Sequence, residues 1–392
     1  MSNPFDEVFS RGGTHSVKFD ARQAVFGRQE VIPLWVADTD FAAPRAVTEA
    51  LTRRAEHPAY GYTLFPDSLY DALMQWFREH HDWSIQRDWI RMAPGVVPTL
   101  HAAATAFAQA GEGVIIQPPV YPPFFSSIRK TGRRVVENPL VERNGRYEMD
   151  LDHLAECAAD PANRVLFFCS PHNPVGRVWR RDELEAVLDI ARRHDLVIIS
   201  DEIHADLVYP DRPRHTMLAT CARPDDPLLT TVAPSKTFNI PGVGLSAVVS
   251  ERTDLLAQLE QVFDTFSMVQ CNPFSITAFE VGYREGSEWL QAMMEYVRGN
   301  RDVVLDFLAR RLPEIRATDP EGTYLLWLDC RGLGLDDAAL KQFMVEKAGI
   351  GMNPGITFGK EGSGYMRLNL GSPQSVIRTA LEQLEAAVAA LR

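Results

Sequence analysis

The chain has 392 residues, 52 of them acidic against 40 basic, for a formal charge of −12. That balance, with basic pairs such as Arg53-Arg54, Arg133-Arg134 and Arg192-Arg193 isolated from one another, excludes a nucleic-acid surface, and a 45% hydrophobic, 23% charged composition excludes extended disorder. No apolar run approaches the roughly eighteen residues of a membrane span, and the start "MSNPFDEVFSRGG" lacks a basic end followed by an apolar stretch, so no membrane contact and a cytoplasmic location are expected.

Residues 1–49 are irregular and punctuated by proline. From about Asp88 to Val249, short apolar runs alternate with helical stretches. The runs are "VIIQ" (114–117), "RVLFFC" (164–169), "LVIIS" (196–200), "LLTTV" (228–232) and "LSAVVS" (245–250). They lack polar alternation, as strands buried on both faces do. Between them, "RDELEAVLDIARRH" (181–194) places Leu184, Val187, Leu188 and Ala191 on one helical face. An α/β fold with a mostly parallel, helix-covered sheet is expected. After about residue 286 come a long helical run (289–312), "TYLLWLDC", a helix at 336–347, "YMRLNL" and a last helix over 373–391. This predicts a smaller α+β domain, so the chain divides into a large domain, 50–285, and a small one, 1–49 with 286–392. Five cysteines, Cys157, Cys169, Cys221, Cys271 and Cys330, show no C-x-x-C spacing, which argues against a disulfide framework or a zinc site.

Ligands of an open parallel sheet sit beyond the carboxyl ends of its strands. "SPHNPVG" follows one run, "DEIH" the next and "APSK" the next, while Gly95-Val96-Val97 opens the helical "TLHAAATAFAQA". One cleft therefore gathers Asn173, Asp201, Lys236 and a helix N-terminus. Free N–H groups at that terminus suit a phosphate. A buried aspartate can hold a pyridinium nitrogen protonated, and a lysine can form a Schiff base. Together they would bind pyridoxal 5'-phosphate.

The motifs Asn173-Pro174-x-Gly176, Asp201-Glu202-x-His204, Ser235-Lys236-x-x-Asn239 and Arg367-Leu368-Asn369 resemble those of the fold-type I pyridoxal-phosphate enzymes, the aspartate aminotransferase superfamily. The stretches "PLWVADTDF", "HPAYGYT", "GVVPTL", "QPPVYPPF", "SDEIHADLVY" and "SKTFNIPG" are similar to the MalY/PatB group of cystathionine β-lyase-like carbon–sulfur lyases. The resemblance implies a seven-stranded sheet between helices and a homodimer with shared active sites. It makes Lys236, Asp201 and Tyr121 catalytic, with the Tyr121 ring stacked on the cofactor. Gly95, Val96, Val97, Ser235 and the partner subunit's Tyr62 would hold the phosphate, and Asn173 and His204 would contact the ring. Arg367, Asn173, Tyr62, Trp35 and Ala37 would bind the substrate.

Three positions depart from the pattern. Thr39 stands where the group has methionine, Gly244 where many aminotransferases have a phosphate-binding arginine, and His204 where many relatives have tyrosine. The expected activity is α,β-elimination from cystathionine or a related cysteine S-conjugate to thiol, pyruvate and ammonia. The alternative is amino-group transfer, which uses the same lysine. Intact Lys236 and Asp201 argue against a purely regulatory protein and leave a regulatory protein partner undecided.

Overall fold

The computed structural model describes residues 3–268 and 272–391, so Cys271 lies outside the described residues. The apolar runs form the interior of a seven-stranded sheet. Its order is Ile90–Ala93, Ser246–Val249, Leu228–Val232, Val197–Asp201, Asn163–Cys169, Gly113–Ile116, Arg134–Glu137. Ser246–Val249 runs antiparallel to both neighbours, and the remaining adjacent pairs are parallel. The two strands that periodicity did not single out, Ile90–Ala93 and Arg134–Glu137, are the sheet's edges. An edge strand has one neighbour and keeps polar side chains, here Arg91 and Arg134, toward solvent.

Alternate residues of the inner strands feed different cores. Val165, Phe167 and Cys169 pack with residues of the helices Val96–Phe107, Pro122–Lys130 and Thr253–Thr265, whereas Leu166 and Phe168 pack with Leu151–Ala159 and Arg181–His194. Both faces are therefore apolar, which is why the strands read as unbroken hydrophobic runs. Each fully buried Leu or Phe contributes about 1.5–3 kcal/mol. The helix Arg181–His194 carries Asp182 and Glu183 in its first turn and Arg192, Arg193 and His194 in its last, so its charges complement its dipole. None of the helices among the described residues is long and apolar enough to cross a membrane.

Beyond the long helix Ser287–Arg311, a four-stranded antiparallel sheet runs Arg316–Ala317, Leu325–Asp329, Tyr365–Asn369, Asn353–Pro354, and the chain closes with the helix Gln374–Leu391. Near the other end of the chain, Ile32–Pro33 pairs in parallel with Ile350–Gly351. The chain then crosses toward the large sheet as a ribbon, residues 34–41, without regular structure.

The ribbon's acidic side chains grip the N-terminal arm. Arg11 donates to Asp38 Oδ1 and Oδ2 at 3.0 and 2.8 Å and to Asp40 Oδ1 at 2.7 Å. Lys18, with 0% exposure, donates to Asp40 Oδ2 at 2.9 Å and lies 3.6 Å from Asp38 Oδ1. Removing one member of a buried charged cluster leaves its partners desolvated and underpaired. Lys18→Met is therefore expected to destabilise the protein by about 3 kcal/mol, read as a lowered midpoint in urea unfolding at unchanged slope.

Candidate active site

The carboxyl ends of the central strands open into a cavity of about 240 Å³, lined by Gly95, Val96, Val97, Tyr121, Asn173, Asp201, His204, Ser235 and Lys236, with Ala37 at its wall. Apart from Ala37, these residues come from five places in the sequence, and the large sheet delivers them to one edge. Asp201 is the last residue of Val197–Asp201, paired in register with Cys169 of the adjacent strand. Lys236 sits in a four-residue helix, Pro234–Thr237, directly after Leu228–Val232.

That short helix is fixed from two sides. Thr237 Oγ1 donates to Asp206 Oδ2 at 2.7 Å, and the same buried carboxylate takes Trp76 Nε1 at 2.9 Å and His81 Nε2 at 2.7 Å. Burial works to raise the Asp206 carboxyl, but these partners leave it below its usual range. On the other side Phe238 fills a notch between helices: a Cβ on Gly282 would come within 2.8 Å of its ring, and one on Gly286 within 2.3 Å. Glycine at both positions lets the helices close onto the segment that carries the lysine.

The roof of the cavity is the ribbon, and its carbonyl groups are taken up by side chains of the site. Trp35 O accepts from Arg367 Nη2 at 2.9 Å, and Val36 O and Asp38 O both accept from Asn369 Nδ2 at 2.6 Å. Ala37 O accepts from Lys236 Nζ at 2.6 Å and from Tyr324 Oη at 3.0 Å. Thr39 O and Phe41 O accept from Asn239 Nδ2, whose Oδ1 receives the Thr39 N–H. Asn239 does this from a left-handed backbone, φ 55°, a region asparagine tolerates better than most residues.

The electrostatics follow from enclosure. Lys236 as a residue is only partly buried, but its amine ends in the cavity, and desolvation lowers it to about 8. Burial pushes the Asp201 carboxyl up to about 7, because its one hydrogen-bond donor is the Ile203 N–H at 3.2 Å. Burial likewise lowers His204 to about 3, so its ring is neutral. Arg367, 4% exposed, gives its Nη atoms to neutral acceptors, Asn173 Oδ1 at 3.0 Å, Asn353 Oδ1 at 2.9 Å and Trp35 O, while its Nε has no partner. Desolvation brings its guanidinium down to about 10.

These features fit the phosphate-bearing pyridine aldehyde that the motifs imply. The helix Val96–Phe107 begins without a side-chain cap, behind Gly95 at φ 152°, so its first N–H groups face the cavity beside Ser235. A ring cation beside Asp201 would return its carboxyl to the charged form, and an amino-acid carboxylate would give Arg367 the anion it lacks. Tyr121, at the start of the helix Pro122–Lys130, forms part of the wall.

Two expected residues lie elsewhere. The Trp35 indole turns away, donating Nε1 to Lys18 O at 3.0 Å and stacking edge-on against Phe26, so Trp35 reaches the site through its carbonyl. Tyr62 is fully exposed, in a segment without helix or strand, between exposed Tyr60 and Leu64. Sequence reasoning missed Asn353 and Tyr324. Asn353 stands in a Gly/Pro-flanked stretch that reads as a turn, and Tyr324 opens an apolar strand run in which a tyrosine reads as core.

Comparison with known proteins agrees with this geometry. The family pattern "Aminotransferase class I and II" matches residues 29–384. The chain is 37% identical to the cystathionine beta-lyase PatB of Bacillus subtilis over 385 residues, covering 98% of this chain and 99% of PatB. It is 33% identical to the protein MalY of Escherichia coli, covering 99% of each. Cystalysin from Treponema denticola, whose crystal structure contains pyridoxal 5'-phosphate, superposes with a TM-score of 0.96 at 38% identity, covering 100% of both chains. The chain belongs to the class I and II aminotransferase family, with the fold-type I architecture, and is a pyridoxal 5'-phosphate enzyme.

Proposed function

We propose that this enzyme is a carbon–sulfur β-lyase, which consumes water and splits cystathionine or a related S-substituted cysteine into a thiol, pyruvate and ammonia. The observation that carries the proposal is one cavity that holds the Lys236 amine and the buried Asp201 carboxyl, with the anion-free Arg367 guanidinium hydrogen-bonded at 3.0 Å to Asn173 of its wall. Likeness to a cystathionine β-lyase across nearly the whole chain favours elimination over amino-group transfer.

When bound, the cofactor supplies an aldehyde that joins an amine and a protonated ring that accepts the electron pair left at Cα. The chain's residues do the rest. Arg367 and Asn173 receive the α-carboxylate, and the guanidinium's fixed fork sets its orientation. Lys236 Nζ, a free base above about pH 8, takes the Cα proton and holds it as an ammonium facing the Ala37 carbonyl. The Asp201 carboxylate would hold the proton on the ring nitrogen. The N–H groups of the Gly95–Val97 turn and the Ser235 hydroxyl would hold the phosphate, and Tyr121 and neutral His204 would bound the space for the ring. With glycine at 244, amides and hydroxyls would hold that phosphate in place of an arginine.

A homodimer belongs to the proposal. Tyr62, exposed and without a role in its own chain, completes the phosphate site of the partner subunit. The exposed Tyr60 and Leu64 on the same segment support an interface there.

The substrate assay separates the two chemistries. Incubation with cystathionine is expected to release thiol and pyruvate in equal amounts without an added keto-acid acceptor; turnover that requires such an acceptor would assign amino-group transfer. Lys236→Ala is expected to abolish the borohydride-reducible adduct and to lower elimination by several orders of magnitude, since an anchor and a base are lost together. Peptide mapping that finds the wild-type label on another lysine would refute the assignment. For the shared site, Lys236→Ala and Tyr62→Ala chains, each inactive alone, are expected to regain activity when mixed and reassembled. A mixed dimer contains one site with both residues intact, and no recovery in demonstrated mixed dimers would place Tyr62 outside the site.

A further inference from the structure

We propose that Tyr324 is a positioning residue for the Lys236 amine, acting through the carbonyl oxygen of Ala37, to which the Tyr324 hydroxyl and the Lys236 amine both donate. The proposal rests on the reading of Lys236 as the amine that bonds the cofactor and carries the Cα proton. It adds the place where that amine waits while its bond to the cofactor is open.

The two donors are unequal in freedom. Tyr324 is 1% exposed, at the head of the strand Leu325–Asp329, with its ring edge-on to His204 at 6.3 Å between centroids. Its hydroxyl reaches Ala37 O at 3.0 Å. Burial raises its phenol, so it stays a donor throughout the working pH range. Lys236 Nζ reaches the same oxygen at 2.6 Å on a flexible stem. A carbonyl oxygen has two lone pairs, and a fixed phenol on one confines the amine to the other.

The oxygen itself cannot turn to suit its donors. Asn369 Nδ2 grips the carbonyls on either side of it, Val36 O and Asp38 O, and Asn239 grips Thr39 at both O and N. The Ala37 peptide is thus held by its neighbours, and the donors come to it. The charged groups facing the amine are Asp38 on the ribbon, Asp201 at its strand end and Arg367 on the small sheet. Tyr324→Phe leaves all three in place. It removes the competitor for the acceptor, which favours the ammonium form and loosens the amine's resting position.

The test uses the full chain in two states. Without cofactor, Lys236 is labelled with acetic anhydride at graded pH and quantified by peptide mass. With cofactor, solvent deuterium exchange is followed at Cα of an amino acid lacking a β leaving group. Tyr324→Phe is expected to raise the labelling midpoint and to slow exchange several-fold at neutral pH. Tyr209→Phe, which removes a buried hydroxyl without a hydrogen-bond partner, is expected to change neither. Site-specific 3-fluorotyrosine at 324, a stronger donor of nearly the same shape, is expected to lower the midpoint, and it carries the test alone if Tyr324→Phe does not fold. An unmoved midpoint in the fluorotyrosine protein, or an equal shift in Tyr209→Phe, overturns the proposal. Labelling is read without cofactor, so failure of the lyase assay leaves this result standing. A borohydride label found on another lysine would sink the reading of Lys236 and not the shared contact.

Discussion

Buried backbone carbonyls have to find donors inside the protein, and the ribbon over the cavity, which belongs to no sheet, supplies few of its own, such as the Asp38 N–H to Val36 O at 2.9 Å. Arg367, Asn369, Lys236, Tyr324 and Asn239 supply those donors. They come from the large sheet's edge and from the small sheet, so one stretch of extended chain ties the two sheets into a single site. The same residues are then already oriented when a ligand arrives. Hydrogen bonds to a main chain make a firmer scaffold than side-chain pairs, since the backbone has no rotamers to lose.

The site holds its charges in an unfinished state. A carboxyl with one amide donor, an amine near neutrality and a guanidinium among neutral oxygens are each costly alone in a desolvated cavity. A ligand carrying a ring cation, an aldehyde, a phosphate and an amino-acid carboxylate would complete them together. The stability given up to desolvation here is recovered as binding specificity, because a ligand lacking any one of those groups leaves a buried charge unmatched. Ion pairs that only hold the fold look different: Arg11 and Lys18 are both fully engaged by Asp38 and Asp40.

Much of this was legible in the sequence where a single physical cause acts alone. The inner strands were, because burial on both faces forces continuous apolar runs. The edge strands Ile90–Ala93 and Arg134–Glu137 were not, because one open side permits arginine and glutamate. Lys236, Asp201 and Asn173 could be picked out because polar residues at or just beyond the ends of apolar strands need a reason to be there, and Arg367 because it interrupts the apolar run "YMRLNL" within a motif that resembles the family's. Tyr324 and Asn353 could not: their function lies in a contact with a distant backbone atom, Ala37 O for one, and in a shared guanidinium for the other. No local pattern records such a partner. The side chain of Trp35 faces away from its expected place for a similar reason, since the nearby Lys18 carbonyl claims its indole.

The ribbon's clamp also orders events at birth. Val36 and Asn369, joined by one hydrogen bond, are 333 residues apart. At the usual pace of translation, Asn369 leaves the ribosome roughly 20–70 s after Val36. Through that interval the large sheet's strands can emerge and pair, yet the stretch that will roof the cavity has no carbonyl partner from the small sheet. The large sheet's strands can therefore pair before the roof of the pocket is tied down, since the roof waits for Arg367 and Asn369.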